Sequence, residues 1–253
     1  MTRCSRTTAL LLGGLLWLLA GVGQAGEVSL AVAANFRQVA GEIAARFTAA
    51  SGHRVKISAA STGTLYAQIA HGAPYDLFLA ADRARPLRAV AEGLAVAGSA
   101  FTYARGRLAL WSPVAGRFRD GAAWLCSGGP ARLAIANPAT APYGVAAREL
   151  LQGLGCWRGL QGHLVRGASI AQAFQFAATE NADAGLVAWS QVRAWRGAPG
   201  SLWLVPEARH APIRQTAVLL QRGRGNPAAR ALLEFLRGPA ARALIRRHGY
   251  EVE

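Results

Sequence analysis

Four stretches of this sequence combine small residues with a hydroxyl or an amide, each immediately before a helix-periodic segment. They are Ala33-Ala34-Asn35, Ala60-Ser61-Thr62-Gly63, Thr140-Ala141-Pro142-Tyr143-Gly144 and Gly167-Ala168-Ser169-Ile170. At any single stretch, helix capping accounts for the residue types, because Ser, Thr and Asn accept hydrogen bonds from first-turn N–H groups. As a set they have a chemistry of their own. First-turn N–H groups have no intrahelical acceptor and the helix dipole favours negative charge there, so converging helix starts hold an anion without any charged side chain. Gly63 and Gly144 would let the backbone come close to such a ligand. Neutral donors suit an oxyanion that is fully deprotonated at neutral pH, since a protonated one also needs an acceptor. Arginine pairing would instead hold phosphate and other anions with little discrimination.

Other chemistry is less well supported. Asp76 and Asp82 flank an apolar run and could suggest metal ligands or an acid–base pair. Asp82 reads better as an N-cap, because a carboxylate in an anion cleft repels the ligand. The five histidines, His53, His71, His163, His210 and His248, show no H-x-x-x-H spacing, so no metal cation is expected. No G-x-S-x-G elbow is present, and an exported hydrolase would need a triad assembled by the fold alone. Trp189, Trp195 and Trp203 could line a carbohydrate site but read better as packing residues.

The elements that would position the four stretches follow from periodicity. Apolar runs at Val28–Ala33, Arg54–Ala59, Asp76–Ala80, Arg132–Ala136, Leu164–Arg166 and Ala184–Ala188 alternate with helical patterns. These patterns include Phe36 to Phe47, Leu65 to Ile69, Asp82 to about Gly93, Val145–Leu154 and Ile170–Ala178. A late strand at Ile213–Gln221 precedes helices from about Pro227 and from Pro239. Such alternation predicts α/β architecture with mostly parallel sheets covered on both faces. Strand-rich stretches near residues 101–111 and 203–221 read as two crossings between two lobes. The expected division is lobe 1 from 26–104 together with 209–253, and lobe 2 from 105–208.

The chain has 253 residues, with 52% hydrophobic and 16% charged, which excludes a disordered protein. Its net charge is +15, but Lys56 is the only lysine and the arginines are scattered. With no basic cluster interleaved with aromatics, a nucleic-acid partner is not expected. Residues 1–25 read as a secretory signal peptide: Arg3 and Arg6, then the apolar run Thr8 to Val22, then small residues before cleavage after Ala25. The rest reads as an exported, soluble, periplasmic chain. Cys126 precedes a predicted strand and Cys156 follows the helix after it, which sets both at the same edge of a βα unit. An exported compartment allows a disulfide between them; two buried free thiols are the other reading.

The strings Leu30-Ala-Val-Ala-Ala-Asn-Phe36, Ser61-Thr-Gly-Thr-Leu-Tyr-Ala-Gln-Ile69, Gly72-Ala-Pro-Tyr-Asp-Leu-Phe-Leu-Ala-Ala-Asp82 and Ala134-Ile-Ala-Asn-Pro-Ala-Thr-Ala-Pro-Tyr-Gly144 resemble the periplasmic molybdate-binding proteins. The likeness extends to Arg247-His-Gly-Tyr250 near the end of the chain. It implies a type II periplasmic binding protein, two α/β lobes joined by a two-strand hinge. Such a protein is not an enzyme: it closes on molybdate or tungstate and delivers it, as a monomer, to the membrane permease of an ABC importer. Sulfate or another tetrahedral oxyanion is the alternative ligand within this class. Carried over by motif position, the ligand-binding residues are Asn35, a hydroxyl at Thr62 or Ser61, Tyr143, and the backbone N–H of Ile170. No cofactor is implied. One branch of the family has a tyrosine ligand where this chain has Ala188, leaving one contact unassigned or taken over by Tyr143.

Overall fold

The structure is a computed structural model and describes residues 25–252; the expected signal peptide lies outside them except for Ala25. The first α/β half begins with β1 (Glu27–Ala33), α1 (Arg37–Ser51), β2 (Arg54–Ala60), α2 (Thr62–Ala70), β3 (Leu77–Ala80), α3 (Ala84–Ala91) and β4 (Phe101–Gly106). The chain then enters a second half with β5 (Leu108–Ser112), α4 (Gly121–Cys126), β6 (Leu133–Ala136), α5 (Pro142–Gly153), β7 (Leu164–Gly167), α6 (Ile170–Ala178), β8 (Ala184–Ala188), α7 (Trp189–Ala194) and β9 (Ser201–Leu204). It returns through β10 (Ile213–Leu219) and ends with α8 (Pro227–Arg237) and α9 (Pro239–Arg247).

Two five-stranded sheets result, ordered β2-β1-β3-β10-β4 and β7-β6-β8-β5-β9. In each, the pairings among the first three strands are parallel, while the strand in fourth place pairs antiparallel on both sides. Four strands of each sheet therefore run one way, as the alternating pattern predicts. The reversed strands, β10 and β5, are the ones by which the chain enters a sheet from the other half.

Burial explains why these segments are strands and helices. β3, β5, β6 and β8 are buried at every residue, as expected of strands covered on both faces. One face of the first sheet packs against α1, α8 and α9 through Phe36, Ile43, Phe47, Leu232 and Leu244. Its other face packs against α2 and α3 through Leu65, Ile69 and Ala89. The second sheet buries Leu133, Ile135 and Leu186 against α5 and α6. Helix α1 stops at Gly52, whose φ of 73° is the left-handed conformation that ends helices and that glycine adopts without strain.

Several residues singled out by type have structural work. Buried Asp76 accepts from the Ser29 N–H at 2.7 Å and faces Arg222, tying β1 to the segment after β10. Asp82 lies one residue before the N-cap of α3, yet it still accepts the Arg85 N–H at 2.9 Å and pairs with the Arg85 guanidinium. Trp195 packs edge-on to Trp111 at 5.2 Å, and Trp203 packs against the second core. Cys126 and Cys156 form a disulfide with Cα atoms 5.3 Å apart. The bond joins the end of α4 to the turn after α5, roughly 18 Å along α5 from Pro142 at the helix rise of ~1.5 Å per residue.

Candidate functional site

The register of the sheets brings the four stretches together in pairs. Ala33 at the end of β1 is paired with Ala60 at the end of β2, so the chain leaves both strands side by side. In the second sheet Ala136 and Gly167 are paired in the same way, ahead of α5 and α6. Asn35, Ser61, Thr62, Tyr143 and Ile170 all line one cavity between the two halves, of about 190 Å³ counting the open space at its mouth. None of the residues lining it is charged.

The donors facing it can be counted. Ser61 is the N-cap of α2: its Oγ accepts from the Thr64 N–H and lies 2.7 Å from Thr64 Oγ1. Thr62 is buried, and its Oγ1 accepts from the Ala81 N–H at 3.0 Å, which leaves its own proton to donate. Both hydroxyls therefore remain eligible. Tyr143 follows Pro142 in the first turn of α5, and Ile170 opens α6 after the N-cap Ser169, so their backbone N–H groups have no partner within the helix. A backbone N–H in a turn of this kind also comes from Asn35, in the short helical segment Ala34–Phe36 that runs into α1.

The side chain of Asn35 faces the other way. Its amide nitrogen donates to Gln215 Oε1 at 2.9 Å and to the Tyr250 hydroxyl at 3.0 Å. Tyr250 in turn donates to the Asn35 carbonyl at 2.9 Å and accepts from Ser190 Oγ at 2.8 Å. Both amide protons of Asn35 are thus committed behind the cavity, and what it has left to donate towards an anion is its backbone N–H. Tyr103 lies 3.1 Å from Gln215 Oε1 and 3.2 Å from the Ala80 carbonyl. Burial pushes the hydroxyl of Tyr250 up to about 12, and pushes those of Tyr103 and Tyr143 well above the usual tyrosine value. All three remain protonated donors at neutral pH.

Two glycines do something other than approach a ligand. The Gly63 N–H donates to the Thr140 carbonyl at 2.8 Å, joining the start of α2 to the other half, and a Cβ there would lie 2.9 Å from that same oxygen. A Cβ on Gly144 would lie 2.3 Å from the Ala136 carbonyl, so its smallness serves the packing of α5 on β6. Ala188 is buried at the end of β8, and its N–H donates to Gln191 Oε1 at 3.3 Å. Sequence reasoning missed Gln215, Tyr103, Tyr250 and Ser190. Gln215 carried a signal: in the strand alternation it shares a face with Ile213, Ala217 and Leu219.

Among the described residues no group of His, Cys, Asp and Glu could hold a metal ion, and no helix is long and apolar enough to cross a membrane. The model of the bacterial extracellular solute-binding proteins matches residues 28–251. The molybdate-binding protein ModA of Rhodobacter capsulatus is 50% identical over 229 residues, 90% of each chain. That of Azotobacter vinelandii is 48% identical over 237 residues, 93% of this chain and 94% of that one. The solved structure of the Azotobacter vinelandii periplasmic molybdate-binding protein superposes with a TM-score of 0.85 at 37% identity, covering 89% of this chain and 99% of that one.

Proposed function

The chain belongs to the bacterial extracellular solute-binding proteins and, within them, to the molybdate-binding proteins of ABC transport, and from that premise we propose that its cavity takes molybdate or tungstate through Asn35, Ser61, Thr62, Tyr143 and Ile170. This family binds its solute and does not turn it over. The observation that carries the site is the convergence of these residues, two pairs from opposite sheets, on one cavity without a charged side chain. Backbone N–H groups of Asn35, Tyr143 and Ile170 with the hydroxyls of Ser61 and Thr62 form a neutral donor set for a tetrahedral dianion. Molybdate and tungstate present nearly the same tetrahedron, so both are expected to bind.

In this reading residues 26–104 with 209–253 form one lobe and residues 105–208 the other. The two crossings act as the hinge, and the lobes close on the anion. Residues 1–25 direct export to the periplasm and are removed after Ala25. The mature chain is a monomer that hands its anion to the membrane permease of the importer.

Melting curves and calorimetric titration with molybdate, tungstate, sulfate and phosphate test the assignment. At a thousandfold excess over the dissociation constant a ligand stabilises the form it binds by about 4 kcal/mol. A clear rise in Tm with molybdate and tungstate and little with sulfate is expected. An equal or larger response to sulfate would overturn the choice of ligand.

A further inference from the structure

Asn35 stands between the cavity and a buried polar network that spans both lobes. Gln215, Tyr103, Tyr250 and Ser190 are all buried behind it. Gln215 Oε1 accepts from the Asn35 amide, and the Tyr103 hydroxyl lies 3.1 Å from the same oxygen. The Tyr250 hydroxyl is saturated, donating once and accepting twice. One of its donors is Ser190 on α7, in the lobe opposite to Asn35. A second arm points the same way. Gln215 Nε2 and the Tyr143 hydroxyl are buried without a partner among the described residues, and both crowd Gly106, where a Cβ would lie 2.9 Å from the first and 2.1 Å from the second. Tyr143 belongs to α5 of the second lobe and lines the cavity.

We propose that Gln215 and Tyr250 are positioning residues for oxyanion binding, holding Asn35 from behind, joining it to Ser190 of the other lobe and lying beside Tyr143, so that holding the anion and keeping the lobes closed become one event. The inference rests on the reading of the cavity as the oxyanion site. Its consequence is kinetic. The anion meets the open cleft before these bonds form, so they do not affect its capture. Release requires the Ser190–Tyr250 bond to break first, so the network sets the dwell time.

The test uses the full mature chain with sodium molybdate as the probe, reading association and dissociation rates by stopped-flow tryptophan fluorescence and the Tm of the ligand-free protein. Tyr250→Phe keeps the ring against Phe36, 5.3 Å away between centroids, and removes only the hydroxyl. Ser190→Ala removes one donor to that hydroxyl. Ser190→Ala is expected to raise the dissociation rate about tenfold, the loss of one buried hydrogen bond, and Tyr250→Phe, which removes three, by at least as much, with association unchanged within twofold for both. The double variant should release little faster than Tyr250→Phe alone, because the one bond that Ser190→Ala deletes is among those already lost with the hydroxyl. A dissociation rate at the wild-type value in Ser190→Ala and Tyr250→Phe overturns the proposal. So does a loss confined to the Tm of the ligand-free protein, the mark of a merely structural role. Failure of the wild-type chain to bind molybdate would instead sink the underlying site assignment.

Discussion

Gly63→Ala separates lobe closure from fold stability, because the structure predicts opposite signs for the two. Gly63 is the second residue of α2, and its backbone is helical. Alanine there raises helix propensity, worth up to about 1 kcal/mol in favour of the folded chain. In the closed arrangement, however, the new Cβ would lie 2.9 Å from the Thr140 carbonyl oxygen and 3.0 Å from Thr140 Cα. Both are backbone atoms and cannot swing aside; the third neighbour, Arg85 Nη2 at 3.1 Å, can. Relief from 2.9 Å to the 3.4 Å at which ordinary contact begins means withdrawing the Thr140 loop by about 0.5 Å. That stretches the 2.8 Å Gly63–Thr140 bond across the cleft. Overpacking of this kind costs about 1–3 kcal/mol, and a weakened hydrogen bond adds part of about 1 kcal/mol. On the proposed closure of the lobes over the anion the cost falls on the closed form alone, so molybdate should bind about tenfold to a hundredfold more weakly while the ligand-free Tm stays level or rises. Isothermal titration beside a thermal melt without ligand reads both. Affinity within twofold of wild type would refute the reasoning, as would an affinity loss matched by destabilisation of the ligand-free protein.

Thr62→Val should weaken molybdate binding and also cost about 1–3 kcal/mol of stability, because the Ala81 N–H loses its acceptor. Ser61→Ala should cost about 1 kcal/mol through the lost N-cap of α2, and whichever of the two depresses affinity further by titration identifies the main hydroxyl contact. Replacing Cys126 and Cys156 by serine should lower stability to urea by about 3–4 kcal/mol on the chain-entropy estimate and leave molybdate affinity unchanged; altered affinity would mean that the bond shapes the cleft. Buried Tyr250, raised to about 12, holds its proton more tightly folded than unfolded, as do Tyr103 and Tyr143. Their contribution to stability is therefore full below the unfolded tyrosine value of about 10 and is lost as pH rises towards 12; urea melts from pH 8 to 11 should show that decline, and a flat profile would contradict it.

The parts of the molecule legible in the sequence are those set by local pattern. The bounds of α6 and β8 match the predicted segments, since a helix after Ser169 and a short apolar run leave little choice. The convergence of Asn35, Ser61, Thr62, Tyr143 and Ile170 followed from strand ends that topology brings together. Short elements were lost: α4 and α7 have six residues each, too few to display a period. The side-chain partners of Asn35 were lost for another reason. Gln215 and Tyr250 lie 180 and 215 residues away along the chain, and nothing local announces such a pairing. Gly63 and Gly144 carried the right signal, close approach, but what approaches them is another stretch of backbone.

The position of β10 also dictates an order of assembly. It lies between β3 and β4, and β4 is otherwise paired, among the described residues, through the bridge of Arg105 to Glu251. Until residues 213–219 have emerged, the first sheet is missing its fourth strand, and β3 and β4 present unpaired edges. The network around Asn35 closes later still, with Tyr250, which follows α9. A chain delivered from its amino terminus therefore completes the first half of its fold, and the back of the proposed anion site, only once Tyr250 has arrived. A fragment that ends before Tyr250 lacks the back of the proposed anion site along with part of its fold, so on that reading the capacity to hold the anion doubles as a report that the chain has been made as far as Tyr250.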